Sequence, residues 1–152
     1  MRTLAREVDR AEIVRRLRTL RADSVRLWGQ MSVHQMICHL CDSCRVMTGE
    51  VIASDASGRM ERTVIKWMAL YLPMRWPRGI ATRPEVDQLR AGTRPTEFAT
   101  DVAALEALLD VIAIRDVMFD GRRHPIFGAM SQTSWLRWAY LHVDHHLRQF
   151  GV

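Results

Sequence analysis

The residues of this 152-residue sequence whose types and spacing could support chemistry lie in two histidine-containing segments. The sharper signal is near the C-terminus, where one turn of a predicted helix separates His142 from His146. Trp135 and Trp138 project from the same face at about 100° per residue, which predicts that this face is buried. Two histidines spaced four residues apart on one helix can bind a single metal ion. His145 falls at the edge of the same face.

The second histidine-containing segment offers two candidates for a third ligand to such an ion, His34 and His39. These residues are five positions apart, so they point about 140° away from each other on a helix. Both flank the apolar stripe of that helix, and helical geometry alone leaves the choice between them open. The alternative is a metal-free bundle in which the buried imidazoles form a network of hydrogen bonds.

Three cysteines, Cys38, Cys41 and Cys44, lie in the same segment. An odd number of closely spaced cysteines is a poor disulfide framework and favours a reducing compartment. The C-x-x-C spacing is typical of redox and zinc sites, but those usually lie at a turn or a helix N-terminus, whereas this one falls in mid-helix. We therefore interpret the cysteines mainly as small buried apolar residues, with a redox or zinc-thiolate role as the alternative.

The elements that must position these residues are predicted to be helices. Apolar residues at helical spacing indicate helices over residues 6–20 and 63–72. Ser32 begins an S-x-x-Q capping box, and Gly49 ends the helix that follows it. The polar stretch 51–60 between them indicates a loop.

Two further helices are predicted in the C-terminal half. Thr100 or Asp101 caps the first of them, and Gly121 ends that region. Ser131 caps the last helix, which runs to about Gln149 and carries the histidine pair. The pattern contains five or fewer helices and no convincing strand, so we predict an all-α bundle forming a single domain over residues 1–152.

Residues 73–95 form an unusually long connection between the predicted helices. They contain four of the five prolines. Connections of this length within a compact domain are often functional or mobile. We expect this segment to lie over a pocket as a lid.

Composition and charge narrow the functional classes further. Hydrophobic residues make up 48% and charged residues 26%, the balance of an ordinary globular protein rather than of a disordered chain. No apolar run is long enough to span a membrane, and no secretory signal is evident, so a cytoplasmic location is expected. The net charge of +5 is compatible with nucleic acid or with anionic small molecules.

Two motifs resemble signatures of the DinB/YfiT-like superfamily. The sequence H-L-C-D-S at residues 39–43 resembles the H-L-x-D-S signature of its second helix. The sequence H-V-D-H-H-L-R-Q at residues 142–149 resembles its closing H-x-x-x-H motif. Together with H-P-I-F-G at residues 124–128, these motifs are similar to one uncharacterised branch of that superfamily.

The resemblance implies a four-helix bundle with a long crossover connection and a divalent metal site. Carried over motif by motif, its three ligands are His39, His142 and His146. The resemblance also implies a homodimer and an enzyme that uses a low-molecular-weight thiol such as bacillithiol or mycothiol, or else a hydrolase.

Three neutral imidazoles suit zinc or nickel and leave at least one coordination position open, as in catalytic sites. A bound water would have a pKa of about 7, and a bound thiol would be held as thiolate. We expect a metal-dependent enzyme acting on a small molecule, with thiol transfer ahead of hydrolysis. His145 and Gln149 are expected beside the ligands, and no general base can be assigned.

The alternative function is a binding protein related to DNA damage or stress, with a structural or vestigial metal. Superfamily members were first noticed as induced by DNA damage, and this chain is basic. However, its arginines are scattered over several helices, and it shows no nucleic-acid-binding fold. The sequence therefore disfavours a nucleic-acid partner.

Overall fold

The computed structural model describes residues 1–114 and 122–152. Within them the chain is predominantly helical, as the sequence predicts. Five α-helices are present in the described residues: α1 (Glu7–Leu17), α2 (Val33–Thr48), α3 (Lys66–Tyr71), α4 (Phe98–Ile114) and α5 (Gln132–Gln149). No helix in the described ranges combines the length and apolar character needed to cross a membrane.

The four longer helices enclose one apolar core. Helix α2 packs against α4 and α1 packs against α5, while α2 also contacts α5. Fully buried side chains come from all four, including Ile13, Met36, Leu109 and Trp135. The contact between α2 and α5 brings the two histidine-containing segments together.

Side-chain caps set the ends of the two site-bearing helices. The Ser32 hydroxyl accepts from the Gln35 backbone N–H, and the Gln35 side chain accepts from the Ser32 N–H, which completes the predicted capping box. Gly49 ends α2 in the left-handed conformation, with φ of 81°, which glycine adopts without strain. Ser131 caps α5 through the Ser134 N–H. These three predictions are confirmed.

The bounds of three helices, α1, α3 and α4, differ from those predicted. Helix α1 stops at Leu17 rather than at residue 20, because the N–H groups of Thr19 and Leu20 bond carbonyls three residues back instead of four, which tightens the chain into a turn. Only residues 66–71 of the predicted 63–72 helix are α-helical, and a π-helical turn precedes them.

Helix α4 begins at Phe98, so Thr100 and Asp101 lie inside its first turn and do not cap it. The Glu97 carboxylate performs that function by accepting from the N–H groups of Ala99 and Thr100, at 3.1 and 2.7 Å. A negative carboxylate at this position also complements the helix dipole. Gly121, the predicted end of that region, lies outside the described residues.

The expectation of no strand is also wrong. Strands β1 (Arg123–His124) and β2 (Gly128–Ala129) form a small antiparallel hairpin in the described chain. Strands of two residues are too short to show an alternating pattern in the sequence. The hairpin places His124 against α5.

The long connection 73–95 is tied to α2 by a buried carboxylate. Asp42, only 1% exposed, accepts from the backbone N–H and hydroxyl of Thr93 at 2.8 and 2.7 Å. It also accepts from the Gln88 amide at 2.8 Å and pairs with Arg45 at 3.0 Å. The connection is thereby held against the helix that carries His39.

We expect Asp42→Asn to lower the free energy of unfolding by about 2 kcal/mol, because an amide cannot accept from all these donors and leaves buried groups unsatisfied. Urea unfolding followed by circular dichroism measures the change. Asp110→Asn, at a carboxylate with a 62% exposed side chain, is the control and should change stability by under about 0.5 kcal/mol. Equal effects of the two variants would contradict the anchoring role.

Candidate metal centre

Three histidines from two helices converge on one point. His39 comes from α2, and His142 and His146 come from α5. Their candidate ligand atoms all lie within 4.8 Å of one another, and 3.2 Å separates the Nε2 atoms of His39 and His142. His39 and His146 are buried, and His142 is partly buried.

Hydrogen bonds fix the proton positions on two of the three rings. The Nδ1 atom of His39 lies 2.7 Å from the Val86 carbonyl oxygen, which can only accept, so Nδ1 carries the proton. In the same way, Nδ1 of His146 donates to Oε1 of Gln149 at 2.9 Å. The Gln149 amide is itself oriented by its donation to the Trp28 carbonyl at 2.8 Å. The Nε2 atoms of His39 and His146 therefore present lone pairs to the shared centre.

Burial keeps these imidazoles neutral. Desolvation is the largest cause that lowers the pKa of His39, and it holds the pKa values of His142 and His146 well below the usual value. Neutral imidazole is the form that ligates a metal.

The donor set fits a divalent cation. With His39 and His146 protonated on Nδ1, only His142 could contribute a proton to the three Nε2 atoms. One proton cannot satisfy the lone pairs on both of the neighbouring Nε2 atoms. A single cation can bind the lone pairs of all three Nε2 atoms at once. The hydrogen bonds from Nδ1 to Val86 and Gln149 are of the kind that orient metal-bound histidines.

The histidines line a cavity of about 770 Å³. The rings of Trp76 and Trp138 flank His142, with centroids at 6.2 and 4.7 Å from its own. Part of the long connection, including Trp76 and Val86, lies along the cavity, as the sequence predicts. A ligand site of this size and apolar character can accommodate a small organic molecule.

Comparison with known proteins identifies a family whose description assigns no function. The model of the family described as "Protein of unknown function (DUF1569)" matches residues 5–151. The chain belongs to this family. No curated protein and no solved structure matches it.

In this DUF1569 chain, His124 is a cavity residue that sequence reasoning missed as a candidate. It is 3% exposed, lines the cavity, and lies against the Trp138 ring at 4.6 Å. Its Nδ1 atom accepts from the N–H groups of Ile126 and Phe127, both at 3.1 Å, so the proton is on Nε2. Burial lowers its pKa to about 3. The proline that follows it in the sequence is the signal for the turn that creates these bonds.

His34 lies away from the three-histidine centre. Its Nε2 atom is 2.7 Å from Oδ2 of Asp101 in α4, and the Cys38 sulfur lies 3.7 Å from the same oxygen. These three residues form a second group with metal-ligating atoms. The His34–Asp101 pair already joins α2 to α4, and Thr96 further satisfies the carboxylate.

The cysteines are buried free thiols, as interpreted from the sequence. Desolvation is the largest cause that raises the pKa values of Cys38 and Cys41 to about 12, and it raises that of Cys44 as well. Thiols with raised pKa values are poor nucleophiles at neutral pH.

His145 and Gln149 lie beside the ligands, as expected. His145 lines the cavity and contacts the rings of Trp28 and His146, while Gln149 bonds His146 directly.

Replacing Gln149 by methionine should weaken zinc binding about 10- to 100-fold, because His146 loses the acceptor that fixes its tautomer. Competition with a chromophoric chelator measures the affinity. The control is Gln30→Met, at an exposed glutamine that lines the same cavity. A zinc affinity that is unchanged in Gln149→Met would mean that this hydrogen bond does not support metal binding.

Proposed function

We propose that this protein is an enzyme that depends on one divalent metal ion, zinc or nickel, held by His39, His142 and His146. The observation that carries the proposal is the convergence of three imidazoles at the wall of a ligand-sized cavity. Structural zinc sites are normally closed by four protein ligands, whereas catalytic sites keep a position open. Three histidines in an accessible cavity match the catalytic pattern.

We further propose that the chain is a DinB/YfiT-like four-helix bundle. Its support is the order of the elements, with the HLCDS motif on α2, a long connection, and the H-x-x-x-H motif on the last helix. In this interpretation α3 and the hairpin are additions to the four longer helices.

The reaction that we favour is transfer of a thiol to a small molecule, with hydrolysis as the second possibility. The thiol sulfur forms a bond to the substrate carbon, the leaving group departs with its electron pair, and the thiol proton passes to solvent. A divalent cation supplies the stabilisation of thiolate or hydroxide at neutral pH. Val86 and Gln149 hold the rings of His39 and His146 in the orientation that a metal needs. Trp76 and Trp138 exclude water around His142.

Cobalt-substituted protein tests the proposal. Titration with cysteine, glutathione, coenzyme A, bacillithiol and mycothiol should change its visible absorption spectrum for at least one thiol, because a sulfur ligand enters the coordination sphere. The His142→Ala variant should show no such change. A spectrum that is insensitive to every thiol would overturn the thiol-dependent reaction, and retained cobalt would then direct the search to hydrolysis.

A further inference from the structure

We propose that the cavity binds a largely apolar molecule carrying one carboxylate or similar anionic group, and that Arg75 is the residue that recognises this group. The inference deepens the proposed function by assigning a substrate class and a specificity-determining residue to the same site. It is carried by the composition of the cavity and by the position of one arginine.

The body of the cavity is apolar. Apart from the histidines, its wall includes Met31, Ile65, Met68, Ile80, Ile126 and Phe127, together with several tryptophans. Methionine and tryptophan provide adaptable apolar surface for an organic ligand. The volume of about 770 Å³ falls within the range of small-molecule sites, which is about 300–1,000 Å³.

Basic residues outnumber acidic residues in the described part of the cavity wall. Arg75 and Arg83 are its basic residues, and Asp87 is the one acid among the described lining residues. The Asp87 carboxylate is already occupied, since it accepts from the Leu89 N–H at 3.0 Å and lies 3.5 Å from Arg90. Three neutral histidines add no negative charge to the centre. The field inside the cavity therefore favours an anion.

Of the two arginines, Arg75 is better placed to contact a ligand. Two nitrogens of Arg83 donate to the Ser54 hydroxyl, which ties that side chain to the neighbouring loop. Arg75 is exposed and precedes Trp76, whose ring lies 6.2 Å from that of His142. Arg75 lines the cavity next to Trp76, and its long, exposed side chain can reach a ligand that lies against that ring. Planar guanidinium binds carboxylate through two parallel hydrogen bonds.

Two fluorescent probes with the same apolar body test the inference. Pyrenebutyrate carries a carboxylate, and pyrenebutanol carries a hydroxyl in its place. Anisotropy titrations use the metal-loaded protein and the chelator-treated protein, because a metal ion could itself bind the carboxylate. Arg75→Gln removes the proposed contact. Arg59→Gln, at an exposed arginine outside the cavity lining, is the matched control.

Pyrenebutyrate should bind about tenfold more tightly than pyrenebutanol, as expected for a charge-assisted contact that is partly exposed. Arg75→Gln should remove this preference while leaving pyrenebutanol binding unchanged, and Arg59→Gln should keep it. The preference should persist in chelator-treated protein, so a failure to find metal would not affect this result. Equal binding of the two probes, no binding of either, or a preference that survives in Arg75→Gln would each overturn the inference.

Discussion

Untagged protein should contain about one zinc or nickel ion per chain, and the His142→Ala variant should contain almost none. His142 contributes one of three nitrogens that lie within 4.8 Å of one another. Removing a direct ligand should cost more than the 10- to 100-fold loss of affinity that follows from removing an outer hydrogen-bond partner. Metal content is measured by inductively coupled plasma mass spectrometry after extensive dialysis.

The matched control is His145→Ala, which removes a histidine from the same helix and the same cavity without removing one of the three converging ligands. It should retain metal, and circular dichroism of both variants should show intact helices. Native protein that stays free of metal even after incubation with zinc and nickel would eliminate the metal-dependent enzyme. The buried imidazoles would then form a polar core network.

Metal-free protein should lose most of its stability between pH 6 and pH 4. His39, His124, His142 and His146 have pKa values lowered by burial, so the unfolded chain binds more protons than the folded chain below pH 6.5. The free energy of unfolding therefore falls as the pH falls, by up to about 1.4 kcal/mol per pH unit for each histidine. Several such groups act together against a total stability of about 5–15 kcal/mol. Urea titrations at a series of pH values measure the slope.

His124→Asn isolates one of these contributions. The asparagine side-chain oxygen can still accept from the N–H groups that His124 receives, but the side chain does not titrate. Because the pKa of His124 is about 3, the variant should show a slope that is shallower by about 1.4 kcal/mol per pH unit near pH 4–5. A wild-type slope in His124→Asn would show that His124 does not contribute to acid unfolding.

Local features of the fold were predictable because neighbouring residues determine them. The Ser32–Gln35 box, the Gly49 terminus and the Ser131 cap involve residues only a few positions apart, so their hydrogen bonds are visible in the sequence. The start of α4 was missed because both Glu97 and Asp101 offer carboxylates, and only the backbone path shows which one caps the helix. The hairpin was missed because its strands are two residues long.

The pairing of His142 with His146 was determined by the sequence alone, since a four-residue spacing on one helix brings two side chains to the same face. The family resemblance selected His39 over His34, but helical geometry alone left that choice open, and only the tertiary structure shows why His39 converges on the pair. That convergence depends on the rotation of α2 about its own axis, which packing against α4 and α5 sets, and the Val86 carbonyl that orients His39 comes from a segment 47 residues away. The position of Arg75 at the cavity also required tertiary structure. The long connection contains several arginines, and its sequence has no periodicity that shows which of them faces the cavity. Only the path of the folded connection decides that Arg75 lines it.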